Sequence, residues 1–261
     1  MAQQNSGWMG QRIRLKAARQ WNRFLKLATF DYYSIDDDLR DEARDLQKVL
    51  AQFLQAADAL VIQSRGSLSR IDLPVGTDWR WRPQMLSVRS TIPALISPSN
   101  GKWLSDEVAV YHDCRERALI LCQTRNRLAT DLSEYGLKLE VMGFSGSYLS
   151  FSLSLPPEAL KDLGGHYIIR LESTLQAERV IKVYSRLNIQ QGPNTESILR
   201  QMGDPIEGNH CNRVVEFDLG YAKLSQRSID KAWLDVIFEA PFMNAIALRD
   251  VILSRHPRAH I

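Results

Sequence analysis

Trp79 and Trp81 stand one residue apart in the run Asp78-Trp79-Arg80-Trp81-Arg82. On an extended chain both indoles share a face while Arg80 and Arg82 take the other. Paired indoles make a platform on which sugar rings or bases stack, with Arg or Asp supplying hydrogen bonds. The same pair also serves to clamp a segment onto a core. A second concentration of polar chemistry is Asn188-Ile189-Gln190-Gln191-Gly192-Pro193-Asn194-Thr195-Glu196. It gathers five amide or carboxylate side chains where a strand is expected to break into a Gly-Pro turn, with Asn194-Thr195-Glu196 capping a short helix before Met202. Amides that donate and accept suit a hydroxyl-rich ligand, and loops carry function often. Asx-turns and a helix cap account for the same residues without a ligand. Trp79, Trp81, Asn188, Gln190, Asn194 and Glu196 are therefore the candidate ligand-binding residues.

Other constellations are weaker. His112 and Cys114 share a strand face, but a zinc site needs three or four ligands, and the only other adjacent pair is His210-Cys211. Gly143-Phe144-Ser145-Gly146-Ser147 resembles a nucleophile elbow only superficially, because it breaks the motif at Ser147 and lies between two strands. Glu140, Glu172, Glu216, Asp218, Asp235, Glu239 and Asp250 fall on expected strands, and spacing selects no acid–base pair among them. No catalytic residue, metal or cofactor is expected, and the balance leans away from an enzyme.

The elements that must position these residues are legible from periodicity. Asn212–Leu219, Lys231–Glu239 and Asn244–Ser254 alternate apolar with polar side chains, as half-buried antiparallel strands do. Further strands are expected at Val108–Asp113, Ala118–Gln123, Leu137–Phe144, Tyr148–Leu155, Tyr167–Thr174 and Val180–Ile189, with Ser145-Gly146 as a tight hairpin loop. The fold class is mainly β: a jelly-roll-like antiparallel β-sandwich over 105–261, preceded by an α-helical hairpin. Residues 64–104, punctuated by Gly66, Pro74, Gly76, Pro83, Pro93, Pro98 and Gly101, are expected as a linker leading into the sandwich.

The helical arm, 1–63, holds a basic helix at about 10–30 and an acidic one at about 36–63. Overall there are 33 Lys and Arg against 30 Asp and Glu. Residues 1–30 contain Arg12, Arg14, Lys16, Arg19, Arg23 and Lys26 and no acid, so they carry +6 and the remaining chain carries 27 − 30 = −3. Attraction to phosphate or anionic lipid is thereby confined to the first helix. In the second, Leu39, Ala43, Leu46, Leu50, Phe53, Ala57 and Leu60 form an unbroken heptad seam, and Asp36, Asp37 and Asp38 open it at the positive end of the helix dipole. Such a seam has to be covered by the first helix, the sandwich or a second chain. The first helix repeats the spacing only at Ala17, Trp21, Phe24 and Ala28, so burial against the sandwich or a homodimer contact is expected in place of a free hairpin. No apolar run nears the ~20 residues that span a bilayer, no signal peptide is evident, and an odd three cysteines without C-x-x-C fit reduced thiols in a cytoplasmic protein, peripheral at the membrane in one reading.

The runs Gly76-Thr77-Asp78-Trp79, His112-Asp113-Cys114, Gly192-Pro193-Asn194-Thr195-Glu196, Glu216-Phe217-Asp218-Leu219, Met243-Asn244, Leu248-Arg249-Asp250 and Ser254-Arg255-His256-Pro257-Arg258-Ala259 resemble an uncharacterised bacterial family of unknown function. The match covers most of the chain from residue 76, with a weaker likeness in the basic helix, and brings no functional residues with it. The strand succession separately resembles the jelly-roll sandwiches of carbohydrate-binding modules, at fold level only. The expected function is non-catalytic binding of a glycan or other hydroxyl-rich polymer. The alternative is a scaffold that docks on an anionic membrane or a protein through residues 10–30. Nucleic acid is the less favoured partner, and the Leu39–Leu60 seam is the candidate homodimer contact.

Overall fold

A computed structural model describes residues 8–30, 36–65, 71–90, 94–128, 131–225 and 227–258. The chain divides into two compact units, Met1–Leu54 and Gln55–Ile261. The first unit contains α1 (Trp8–Phe30) and most of α2 (Asp37–Arg65). Asp36 opens α2 as expected: its carbonyl accepts from Arg40 N and its side chain from Asp38 N. The expected hairpin loop at 31–35 lies outside the described residues. The apolar side chains of both helices are largely open, with Ile13 67%, Leu50 51% and Phe53 65% exposed. Among the described residues the first helix therefore leaves the seam of the acidic one open, in line with the expectation that it cannot cover it alone. Cover of the seam by a second chain stays a proposal. Among the described residues no helix is long and apolar enough to cross a membrane.

The second unit is the antiparallel β-sandwich, jelly-roll-like, that the alternation predicts. Its strands are β1 (Trp79–Trp81), β2 (Ala94–Ile96), β3 (Lys102–Trp103), β4 (Val108–His112), β5 (Leu119–Arg125), β6 (Tyr135–Val141), β7 (Tyr148–Ser154), β8 (Tyr167–Ile181), β9 (Val183–Gln191), β10 (Asn194–Gln201), β11 (Ile206–Asp218), β12 (Lys231–Glu239) and β13 (Asn244–Pro257), with a single short helix, α3 (Pro157–Leu160), after β7. One sheet runs β11-β8-β13-β6-β5-β2, with β1 added against β13, and the other runs β10-β9-β12-β7-β4-β3. Segment 64–104 thus contributes three short strands to the two sheets.

Period-2 alternation places the core between them. Leu149, Phe151 and Leu153 of β7, with Ala232, Leu234, Val236 and Phe238 of β12, have no exposed surface, and the Phe151 and Phe238 rings meet edge-on at 6.2 Å. Burial of such side chains contributes about 1.5–3 kcal/mol each. The tight hairpin expected at Ser145-Gly146 is corrected: β6 and β7 belong to different sheets, so residues 142–147 carry the chain from one sheet to the other. This crossing is fixed at Asp113, whose carboxylate a Cβ on Gly146 would meet and which accepts from Ser147 N at 2.8 Å and Ser147 Oγ at 2.7 Å.

Two further element readings are corrected. Asn194–Gln201 is a strand, not a capped helix: Gly192 takes φ +60 in a two-residue loop, and β10 folds back on β9 in register from Asn194↔Gln191 to Gln201↔Tyr184. Pairing along that whole length satisfies the backbone that a helix cap would have served. The expected strand Val180–Ile189 is also split. Alternation continues along β8 through Leu175 and Ala177 to Ile181, and the chain then crosses from one sheet to the other at Lys182.

Candidate functional site

The outward face of the six-stranded sheet carries a groove of about 500 Å³. Its floor follows from β7, where Ser150, Ser152 and Ser154 alternate with the core residues Leu149, Phe151 and Leu153. Side chains on one sheet face meet across strands, and the register places Ala109 of β4 opposite Ser152, and Ser152 opposite Asp235 of β12. The serines of β7 and Ala109 of β4 thus make a floor of small groups between larger side chains. Trp103 stands on β3 and Tyr111 on β4; Trp233 and Ile237 stand on β12, and Tyr148 closes one end. Trp103 is 44% and Tyr148 37% exposed.

Charge in the groove is distributed unevenly. The Asp235 side chain is sealed, with 6% exposure. Its Oδ2 accepts from Arg186 Nε at 3.1 Å and Nη2 at 2.8 Å, and from Asn188 Nδ2 at 2.9 Å. The Arg186 side chain keeps 47% of its surface in solvent. The Lys231 ammonium lies 5.4 Å from the centre of the Trp233 ring and 5.9 Å from that of Trp103, so the two indoles flank one cation.

The residues singled out from sequence fall in two places. Trp79 and Trp81 lie in the other sheet, where β1 pairs Trp79 with Arg255 and Trp81 with Leu253. Both are half-buried against the core, and the Trp81 side chain hydrogen-bonds Glu107, whose carboxyl is pushed up by burial. Asn188 lies behind the groove wall, its Oδ1 accepting from Ser197 Oγ at 2.7 Å. Gln190 follows it on the same face, opposite Lys231, with its Nε2 donating to Gly192 O at 3.3 Å. Asn194 is exposed beside the β9–β10 turn, and Glu196 accepts from Lys223 N. The indole pair and the amide cluster therefore do not share a site.

Sequence reasoning missed Trp103, Tyr111, Tyr148, Lys231 and Trp233. The signal was present in two outward sets, Tyr148-x-Ser150-x-Ser152-x-Ser154 and Lys231-x-Trp233-x-Asp235-x-Ile237, which period 2 aims at one face each.

The remaining candidates have structural occupations. His112 Nε2 lies 3.0 Å from Pro98 O and its ring packs on Phe144. His210 and Cys211 sit on β11, in the opposite sheet. Each of the seven strand carboxylates has a basic partner: Glu140 with Lys138, Glu172 and Glu216 with Arg170, Asp218 with Arg258, Asp235 with Arg186, Glu239 with Lys182, and Asp250 with Arg82. A smaller hollow of about 280 Å³ on the other sheet is bounded by paired groups, Arg249 with Asp131 and Asp250 with Arg82.

No curated protein matches the chain. Among solved structures it is similar to a CBM22-1 xylan-binding domain from Paenibacillus barcinonensis, at 9% identity over 64% of this chain and 94% of that one, TM-score 0.38. It is also similar to a family 11 carbohydrate-binding module from Clostridium thermocellum in complex with a β-1,3-1,4-mixed-linked tetrasaccharide, at 10% identity over 62% and 94%, TM-score 0.35. A third similarity is to the enzymatically active domain of tailspike protein 4 from bacteriophage CBA120, at 10% identity, TM-score 0.39. It covers 60% of this chain, which spans only 21% of that protein. A family model, described as a family of unknown function (DUF6478), matches residues 1–261.

Proposed function

Since the chain belongs to DUF6478, a family of unknown function, we propose a function from its own surface: it binds a glycan in the groove on the outward face of the six-stranded sheet. The observation that carries this reading is a floor of three serines between walls bearing Trp103, Tyr111, Tyr148 and Trp233. A sugar ring has an apolar C–H face that stacks on an aromatic side chain and a hydroxyl edge that needs donors and acceptors. Serine hydroxyls and the Arg186 fork supply both beside the indoles. Hydrolysis is disfavoured because it needs two carboxyl groups about 5–10 Å apart, whereas among the described residues Asp235 is the only carboxylate lining the groove, and Arg186 and Asn188 occupy it.

Affinity-gel electrophoresis against a panel of polysaccharides tests the proposal. At least one polymer should retard the wild type, Trp103→Ala/Trp233→Ala should abolish the retardation, and Trp79→Ala/Trp81→Ala should leave it. Retention by the first double variant as strong as by the wild type defeats the groove.

One observation favours a second reading for α1. On a helix of 3.6 residues per turn, Arg12, Lys16, Arg19, Arg23 and Lys26 fall within about 80° of arc, with Ile13, Ala17, Trp21, Phe24 and Ala28 on the opposite side. A basic, acid-free amphipathic helix of this kind suits an anionic lipid surface. The full chain is expected to co-sediment with vesicles containing phosphatidylglycerol and not with phosphatidylcholine alone, and Arg19→Glu/Arg23→Glu is expected to stay in the supernatant. Equal sedimentation with both vesicle types removes this reading.

A further inference from the structure

We infer that the groove takes an acidic glycan, a polymer whose sugar rings carry carboxylate or sulfate groups, and that Lys231 and Arg186 receive those groups; this rests on the glycan reading of the groove. Three charged residues line it, Arg186, Lys231 and Asp235. The Asp235 carboxylate is sealed from solvent and capped by three donors, so the charge presented to a ligand is cationic. Arg186 spends Nε and Nη2 on Asp235. Among the described residues nothing holds its Nη1, which leaves a guanidinium edge to donate to an incoming oxyanion. Lys231 makes no ion pair with a carboxylate among the described residues. Its ammonium is held instead by two π faces, which fix its position without neutralising its charge. Asp106 lines an adjoining hollow with Trp103 and is not among the groove residues.

The arrangement also sets the geometry of recognition. A ring stacked on Trp103 or Trp233 carries its acidic substituent within reach of the cation between them. A neutral ring on the same indole leaves that ammonium without a counter-charge, and flanking aromatic surface that excludes water strengthens the difference. Binding should therefore discriminate by charge and weaken as salt screens the pair.

The test compares full-length protein against polygalacturonate, dextran sulfate and neutral dextran and xylan, by affinity electrophoresis and calorimetry. At least one polyanion is expected to bind about tenfold or more tightly than the neutral polymers. Lys231→Gln should bring it down to the neutral level, while Lys231→Arg keeps most of the preference. The basic helix α1 attracts any polyanion, and the groove variants separate the two contributions because they leave α1 intact. If Lys231→Gln and Trp103→Ala/Trp233→Ala both bind the polyanion like the wild type, retention belongs to α1 and the inference fails. If neutral and acidic polymers bind the wild type equally, and Trp103→Ala/Trp233→Ala loses both, the glycan groove stands and its acidic preference falls. If no polymer binds, both readings fall together.

Discussion

Asp78 meets a partner 177 residues further along the chain, Arg255, whose Nε and Nη2 each donate to its carboxylate at 2.9 Å. Tyr167 Oη adds a third donor at 3.0 Å. Hydrogen bonding from Arg255, ahead of that from Tyr167, holds the Asp78 carboxyl below its ordinary 3.8. A depressed folded value means that the contribution to stability is complete above the unfolded value and is lost as pH falls through the folded one. The wild type should accordingly lose melting temperature more steeply below about pH 4 than Asp78→Asn does. Parallel melting curves across the acid range would show that the pair contributes nothing measurable. Legibility at this scale was partial. Alternation announces that carboxylates such as Asp250 occupy strands, yet its bidentate partner Arg82 lies 168 residues earlier, and both are buried. No local pattern encodes such a distant pair.

For single elements the sequence is far more explicit, because period 2 is written into each strand independently of its neighbours. The expected Lys231–Glu239 is β12 to the residue, and Tyr148–Leu155 differs from β7 by one. The misread element, Asn194–Gln201, follows a Gly-Pro turn and is largely exposed, so its alternation is faint and only its ladder with β9 makes it a strand. The groove itself depends on an elemental property, the small side chains that β7 places on its floor. Ser152→Phe puts a ring on that floor, opposite Ala109 and Asp235. Glycan affinity should drop about tenfold or more, with the melting temperature held within about 4 °C, since the added side chain enters open space and not the packed core. Undiminished binding by Ser152→Phe would mean that the ligand sits elsewhere.

At the scale of the molecule, the site could not be assembled from sequence, since it spans β3, β4, β7, β9 and β12, and the order in which strands associate is a property of the fold. Trp233 was legible as a tryptophan on a strand and Trp103 fell in the expected linker, so the two could not be read as walls of one trough. That same strand order has a consequence for how the protein is made. β12 stands between β9 and β7, and β13 between β8 and β6. Until residues 231–257 have left the ribosome, each sheet is two halves with open edges facing an unfilled gap. Strands left in that state expose ladders and apolar faces that invite pairing with other nascent chains. Synthesis therefore delivers both keystones after the strands they join, and the protein should depend on holding chaperones until translation has passed them. A chain stopped after Asp230 is expected to give no cooperative melt and to aggregate, whereas the full chain melts in one transition for this unit. A soluble, cooperatively melting 1–230 fragment would show that the earlier strands close without their central partners.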